Sequence, residues 1–306
     1  MSIAKYIKEI GRGKEGARSL SRAQAADLFG QVLDGAVTDL EIGAFCLAMR
    51  IKGETSLEMA GFLDATYARM QRVPAGPTPL VVIPSYNGAR KLPVLTPLLA
   101  LLLSREGLPV LVHGAASEST RVFTSGVLEA LDIPAATAIG PISGGSVVFA
   151  PTALLCPGLQ RLLEVRRVVG LRNPAHSLVK LMNPGAGTSL IVSSYTHPEY
   201  AVSMGATFEL MGSNAMLLRG TEGEAVADPR RVPRIELFLQ GQRQTVQDAL
   251  TGPLAVLPEL PRDIDPATTA AYIRAVLAGT SPLPDPIATQ VAHIVRADKQ
   301  LREKQA

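Results

Sequence analysis

Residues 83–96, IPSYNGARKLPVLT, follow an apolar strand-like run, LVV, and lead into an apolar run of helical character, PLLALLLSR. A strand, a loop and a helix in that order form the unit from which α/β folds are built. Loops at such junctions bind phosphate through backbone N–H groups when several glycines let the ligand approach closely. This loop has one glycine, Gly88, among polar side chains: Tyr86, Asn87, Arg90 and Lys91. An anion would meet mainly side chains, which suits a polyanion better than one enclosed diphosphate.

Downstream of this loop, apolar runs alternate with helical stretches. The strand-like runs are residues 80–83, 110–112, 147–149, 190–192 and 215–218, and the helical stretches include residues 97–105 and 160–168. This alternation predicts an α/β domain with a largely parallel central sheet flanked by helices. Ligands of such folds bind at the carboxyl ends of the strands, where residues 86–91 and 113–121 would meet.

Upstream of the loop, three capping boxes predict short amphipathic helices, which we assign to a small all-α N-terminal domain, residues 1–72. Each box pairs a hydroxyl with a side chain three residues later: Ser21 with Gln24, Thr38 with Glu41, and Thr55 with Glu58. Residues 73–79, VPAGPTP, are dense in proline and glycine and predict a linker. Residues 80–306 then form the α/β domain.

Composition predicts a soluble cytoplasmic protein. The chain has 306 residues, 47% of them hydrophobic, which is ample for a sizeable core. Its two cysteines, Cys46 and Cys156, lie in apolar contexts without metal-ligand spacing, as expected of buried thiols in a reducing compartment. The first residues lack the apolar core of a signal peptide, and the apolar run 95–103 is too short to span a bilayer.

Two further blocks carry a family resemblance. Residues 112–134, VHGAASESTRVFTSGVLEALDIP, and residues 148–184, from VFAP through EVRRVVGLRN to LMNP, resemble conserved blocks of the anthranilate phosphoribosyltransferases of glycosyltransferase family 3. With the helical N-terminus, the resemblance covers nearly the whole chain. It implies the nucleoside phosphorylase/phosphoribosyltransferase-like fold, in which part of residues 160–185 joins the helical domain. It also implies a homodimer formed through that domain.

The motifs that serve catalysis in that family differ here. IPSYN stands where the family's diphosphate-binding GTGGD loop would be, and VHGA stands for its KHGN segment. Leu95 replaces a serine that helps to hold magnesium, and Ala225 and Val226 replace an acidic pair that binds it. The resemblance is therefore to the YbiB-type branch of the family, which keeps the fold and binds nucleic acid. No metal, cofactor or catalytic residue is predicted.

Charge is distributed unevenly along the chain, although the totals are nearly balanced at 30 basic and 27 acidic residues. Residues 65–105 contain five basic residues and no acidic one, and residues 133–198 contain five basic residues and one acidic residue. The family fold would gather both stretches around one cleft, and such a concentration of charge attracts polyanions. We therefore predict phosphate contacts by Arg and Lys with DNA or RNA, single or double stranded, and no membrane partner.

The predicted anion contacts come from the loop, the second strand and the segment after residue 165. They are Tyr86, Asn87, Arg90, Lys91, His113, Arg121, Arg166, Arg172, His176, Lys180 and Arg219. Tyr86 either stacks on a base or is a partly buried aromatic, and His113 either donates to an anion or holds the loop. A further basic cluster, residues 228–234 (DPRRVPR), is interpreted as solvated surface.

Two functions remain open from the sequence. The first is sequence-nonspecific binding of nucleic acid through a basic cleft on a catalytically degenerate fold. The alternative is a glycosyltransferase, either a phosphoribosyltransferase or a phosphorylase, that acts on an unidentified substrate. The fold permits the alternative, but a fold alone does not carry a function.

Overall fold

The computed structural model of the chain describes residues 2–116 and 120–304, so residues 117–119 of the second family-like block lie outside the description. Helices alternate with strands after an all-helical start. The helices are α1 (Ala4–Ile10), α2 (Gly13–Gly16), α3 (Arg22–Leu33), α4 (Asp39–Lys52), α5 (Ser56–Tyr67), α6 (Thr96–Arg105), α7 (Thr124–Ala130), α8 (Thr152–Leu155), α9 (Pro157–Val169), α10 (Ala175–Leu178), α11 (Pro198–Leu210), α12 (Pro266–Leu277) and α13 (Asp285–Glu303).

The three predicted capping boxes are confirmed at the starts of α3, α4 and α5, where each hydroxyl accepts from the third backbone N–H and the third side chain reaches back. These helices pack around three phenylalanines, Phe29, Phe45 and Phe62, with the rings of Phe29 and Phe62 stacked at 4.6 Å. α9 packs with these helices, and the Arg161 guanidinium donates to the Leu33 carbonyl at 2.8 Å. We call the N-terminal helices and α9 together the helical layer. Val73 then pairs with Gly185 where the chain leaves the helical layer.

A seven-stranded mixed sheet in the order β3-β2-β1-β4-β5-β6-β7 forms the centre of the α/β part. All five predicted runs are strands and pair in parallel, which confirms the predicted fold class. The hairpin β6–β7 adds an antiparallel edge that was not predicted. The strands are β1 (Leu80–Ser85), β2 (Val110–Gly114), β3 (Val147–Pro151), β4 (Ser189–Tyr195), β5 (Ala215–Arg219), β6 (Ile235–Leu239) and β7 (Gln242–Gln247).

The two faces of the sheet bury different helices. Leu80 and Val82 of β1 belong to a core shared with the N-terminal helices, α9 and α11. Val81 and Ile83 belong to the opposite core, which is formed with α6, α7, α12 and α13. Alternate side chains of a strand point to opposite faces, so β1 is apolar up to Ser85 and is buried on both sides. This burial fixes the position of the loop that follows β1.

None of the helices in residues 2–116 and 120–304 is both long enough and apolar enough to cross a membrane.

Candidate anion-binding site

The loop after β1 binds a carboxylate of the same chain. Glu224 Oε1 accepts the backbone N–H groups of Asn87 and Gly88, each at 2.8 Å. The other oxygen, Oε2, accepts the hydroxyls of Ser85 and Thr96. Glu224 is only 2% exposed. The protein thus satisfies this set of donors with its own anion, because a buried carboxylate is tolerated only when it is hydrogen-bonded.

A second carboxylate binds the outer part of the same loop. Glu222 Oε2 accepts the N–H groups of Arg90 at 2.8 Å and Lys91 at 3.3 Å. Glu222 lies in a short turn after β5, Thr221–Gly223, with φ 51°, and Glu224 directly follows this turn. Arg121 supports the loop from the other side by donating to the Asn87 carbonyl at 2.8 Å. Arg121 is thus a positioning residue for the loop.

Tyr86 and His113 do not reach the surface, which corrects the predictions of base stacking by Tyr86 and anion donation by His113. Tyr86 is 8% exposed and its hydroxyl lies 2.8 Å from both His113 Nδ1 and Thr152 Oγ1. Burial lowers the pKa of His113 to about 3, so the ring is neutral near pH 7. Tyr86 is thus a buried aromatic, as the alternative interpretation has it, but its hydroxyl bonds to side chains and not to the backbone. His113 holds the loop from beneath.

A cavity of about 360 Å³ adjoins the loop between the helical layer and the carboxyl end of β4. Asn87 contributes to its wall, methionines such as Met49, Met59 and Met204 give it apolar surface, and hydroxyls are frequent around them. The basic and acidic side chains that line it are Arg50, Glu54, Arg172, His176, Lys180 and Glu199. This volume suits a small molecule, since binding pockets start at about 300 Å³.

Lys180 and His176 are poorly solvated in this cavity. Burial lowers the pKa of Lys180 to about 8, against the opposing effect of the Glu224 charge. Its Nζ donates to the carbonyls of Gly223 at 2.8 Å and Ser194 at 3.3 Å. Burial and the Arg172 charge lower the pKa of His176 to about 4, so His176 is neutral near pH 7. Of these residues, exposed Arg172 is the cation most accessible to a ligand.

The remaining predicted residues lie around the same end of the sheet. Arg90 and Lys91 are exposed on the loop, and exposed Arg219 ends β5 opposite Tyr195 of the cavity wall. Arg166 is partly buried on α9, and its charge contributes to the low pKa of His176. The structure therefore brings the predicted residues to one region, with only part of them open to solvent.

The basic stretches contribute less charge to this region than the sequence predicts. Several of their ten basic residues are bonded to groups of the fold, Arg167 and Lys180 among them. Arg69 pairs with Asp34, Arg72 donates to the Pro184 and Gly185 carbonyls, Arg105 to the Leu277 carbonyl and Arg161 to the Leu33 carbonyl. The cluster of residues 228–234 is partly neutralised as well, since Arg230 pairs with Asp228 and Arg234 with Glu236.

The residues present do not fit the magnesium site implied by the fold family. Magnesium binds oxygen ligands. Leu95, Ala225 and Val226 are fully or almost fully buried and apolar, and the Gln290 side chain holds the backbone of residues 225–227. Glu222 and Glu224, the carboxylates near that position, accept hydrogen bonds from the loop. No step through magnesium follows from this arrangement.

Sequence reasoning missed both glutamates and the helical side of the cavity. Glu222 and Glu224 flank Gly223 directly before the replaced acidic pair. Their position next to that pair could have indicated that they lie near the loop. Arg50 and Glu54 lie at the junction of α4 and α5, and Glu199 near the start of α11. No motif marks those three, because they meet only through tertiary packing.

Comparisons with known proteins agree with this fold. Residues 4–70 match the model of the glycosyl transferase family, helical bundle domain. The anthranilate phosphoribosyltransferase of Thermus thermophilus superposes with a TM-score of 0.71 at 22% identity, covering 98% of this chain and 89% of that chain. The enzyme of Saccharomyces cerevisiae in complex with PRPP and Mg superposes with a TM-score of 0.70 at 14% identity, covering 97% and 88%. The chain therefore has an anthranilate phosphoribosyltransferase-like fold.

Sequence relatives narrow this class. The chain is 42% identical to YbiB of Escherichia coli (strain K12) over 300 residues, which cover 95% of this chain and 93% of YbiB. It is 28% identical to the anthranilate phosphoribosyltransferase of Salinispora arenicola over 293 residues, 89% and 80% of the two chains. The chain belongs to the YbiB family. The relatives named above with a stated activity are anthranilate phosphoribosyltransferases, so the comparisons favour the transferase alternative over nucleic-acid binding.

Proposed function

We propose that the chain binds nucleic acid at the carboxyl end of its sheet, without transferring a phosphoribosyl group. The observation that carries this proposal is the Glu224 carboxylate on the Asn87 and Gly88 amides. A diphosphate offered to the same donors would have to displace a buried, fully hydrogen-bonded carboxylate. The basic side chains that remain open to solvent then provide the contacts for an external anion.

These contacts are electrostatic in character. Exposed Arg90, Lys91, Arg172 and Arg219 lie on different elements around the loop and the cavity. Contacts of such side chains with phosphates release counterions, and phosphate contacts carry no base-sequence information directly. Buried Tyr86 offers no stacking surface, which favours contacts with the phosphate backbone.

The test is a salt series with unrelated oligonucleotides of equal length, followed by fluorescence anisotropy. The logarithm of the affinity should fall linearly with the logarithm of the salt concentration, with a slope of about −0.9 for each duplex phosphate contacted. All sequences should bind alike. An affinity that salt leaves unchanged, or a strong preference for one sequence, contradicts the proposal.

The second candidate is transfer or phosphorolysis of a pentosyl or phosphoribosyl substrate. Two observations favour it: the named relatives and a cavity of about 360 Å³ lined by hydroxyls, apolar groups and both signs of charge. A nucleic-acid backbone needs no cavity of this kind. In this reading the substrate would use the cavity and not the Glu224 position.

Calorimetry with phosphoribosyl diphosphate and magnesium separates the two candidates. We expect no magnesium-dependent binding, because Leu95, Ala225 and Val226 offer no oxygen ligands. Micromolar binding that requires magnesium would restore the transferase reading. The same titration with magnesium alone is the control.

A further inference from the structure

The two carboxylates that bind the loop, Glu222 and Glu224, differ in burial and in the number of their hydrogen bonds. Glu224 is buried and bonded by four donors from Ser85, Asn87, Gly88 and Thr96. Glu222 is partly exposed and accepts two N–H groups at the protein surface. Hydrogen bonds in contact with water are easily exchanged, whereas breaking buried ones leaves donors unsatisfied. Glu222 is therefore the displaceable carboxylate.

The Arg230 guanidinium lies within electrostatic reach of Glu222. The Glu222 charge contributes to the raised pKa of Arg230, after the larger effect of the hydrogen bond from Arg230 to Asp228. Movement of Glu222 toward Arg230 would keep its charge compensated. The loop N–H groups of Arg90 and Lys91 would then face an incoming ligand.

We propose that the backbone N–H groups of Arg90 and Lys91 form a phosphate-binding site, which Glu222 occupies in the free protein and a nucleic-acid phosphate occupies in the complex. The site already holds an anionic oxygen at 2.8 Å from the Arg90 nitrogen. A phosphate offers the same kind of acceptor with more oxygens, and the exposed Lys91 ammonium supplies a further charge-assisted donor. This proposal rests on the proposed function. It assigns one phosphate of the nucleic-acid backbone to the N–H groups of Arg90 and Lys91.

Glu222 acts in this arrangement as a built-in competitor. In the free protein its carboxylate satisfies the amides, and in the complex its charge opposes the phosphate. Replacing Glu222 with glutamine removes the charge and leaves a weaker acceptor of similar size. Binding of phosphate-bearing ligands should then become tighter by roughly threefold to tenfold, the effect of one nearby like charge at the surface.

The experiment compares the Glu222→Gln variant with the wild type and with a charge-matched control, Glu259→Gln, which changes an exposed residue in the loop before α12. Two probes are titrated: inorganic diphosphate without metal, followed by the amide NMR signals of Arg90 and Lys91, and a thymidine oligonucleotide, followed by anisotropy. Both should bind Glu222→Gln more tightly than the control, and diphosphate should shift both amide signals. Glu222→Asn repeats the test with a residue that tolerates the left-handed backbone.

Three outcomes separate the proposals. If the oligonucleotide binds but Glu222→Gln gains nothing over Glu259→Gln, the site is wrong and nucleic-acid binding stands. If diphosphate shifts the two amides and binds the variant more tightly while no oligonucleotide binds, the site stands and the proposed function fails. If diphosphate leaves the amides of Arg90 and Lys91 unchanged, the site is overturned.

Discussion

At the scale of single residues, side-chain types were easier to predict than their exposure. The side chains of Leu95, Ala225 and Val226 carry no oxygen ligands, a property that depends only on residue type. Sequence reasoning misjudged Tyr86, whose aromatic ring could have stacked on a base but lies beneath the loop. Burial depends on which elements pack over a residue, and a local motif does not contain that information.

The first prediction at this scale concerns Lys180, whose pKa is lowered from 10.5 to about 8 in the folded protein. Between these values the unfolded chain binds more protons, so folding stability should rise with pH. The gain should be on the order of 2 kcal/mol by linkage. Lys180→Met should lack it, and chemical denaturation from pH 7.5 to 9.5 would show this. Parallel stability curves for the two proteins would contradict the assignment.

At the scale of elements, apolar runs and capping boxes predicted the five parallel strands and the starts of α3, α4 and α5. The β6–β7 hairpin was missed, because β7, QRQTVQ, is a polar edge strand without an apolar run. Its tight turn uses Gln240 and Gly241 with positive φ. Strands at a solvent-facing edge carry little hydrophobic signal.

One helix surface carries the second prediction. Leu40, Leu47 and Ile51 of α4 are exposed, at 84%, 47% and 56%, and Leu57 of α5 is also exposed. An apolar patch of this kind marks a protein interface, and we propose a homodimer through the helical layer. Leu47→Glu should give monomers with unchanged circular dichroism in sedimentation experiments, whereas Val256→Glu, at another exposed apolar residue, should not. A monomeric wild type would exclude this interface.

At the scale of the whole molecule, counting charges along the sequence overestimated the basic cleft. Arg69, Arg72, Arg105 and Arg161 were counted toward it, yet their guanidinium groups bond to other parts of the fold. Sequence segments show where charge is located in the chain, whereas packing decides which charges face a ligand. The exposed basic residues at the loop itself, including Arg90 and Lys91, are therefore a smaller group than the sequence count suggests.

The last prediction tests whether that group binds the nucleic acid. Changing Arg90 and Lys91 together to alanine should weaken binding of all nucleic acids alike and reduce the salt slope by about one unit for each phosphate that the variant no longer neutralises. Thermal stability should change little, since exposed charges contribute about 1 kcal/mol or less each. The backbone N–H groups that bind Glu222 remain in the variant.

The control for total charge is a double change of Arg296 and Lys299, both exposed on α13, to alanine. Arg230 is unsuitable as a control, because Glu222 lies within its electrostatic reach. α13 packs on the sheet face opposite to the helical layer, so this pair tests the contribution of total charge. If the α13 pair weakens binding as much as the loop pair does, the protein attracts nucleic acid through a diffuse surface effect and the loop is not the binding site.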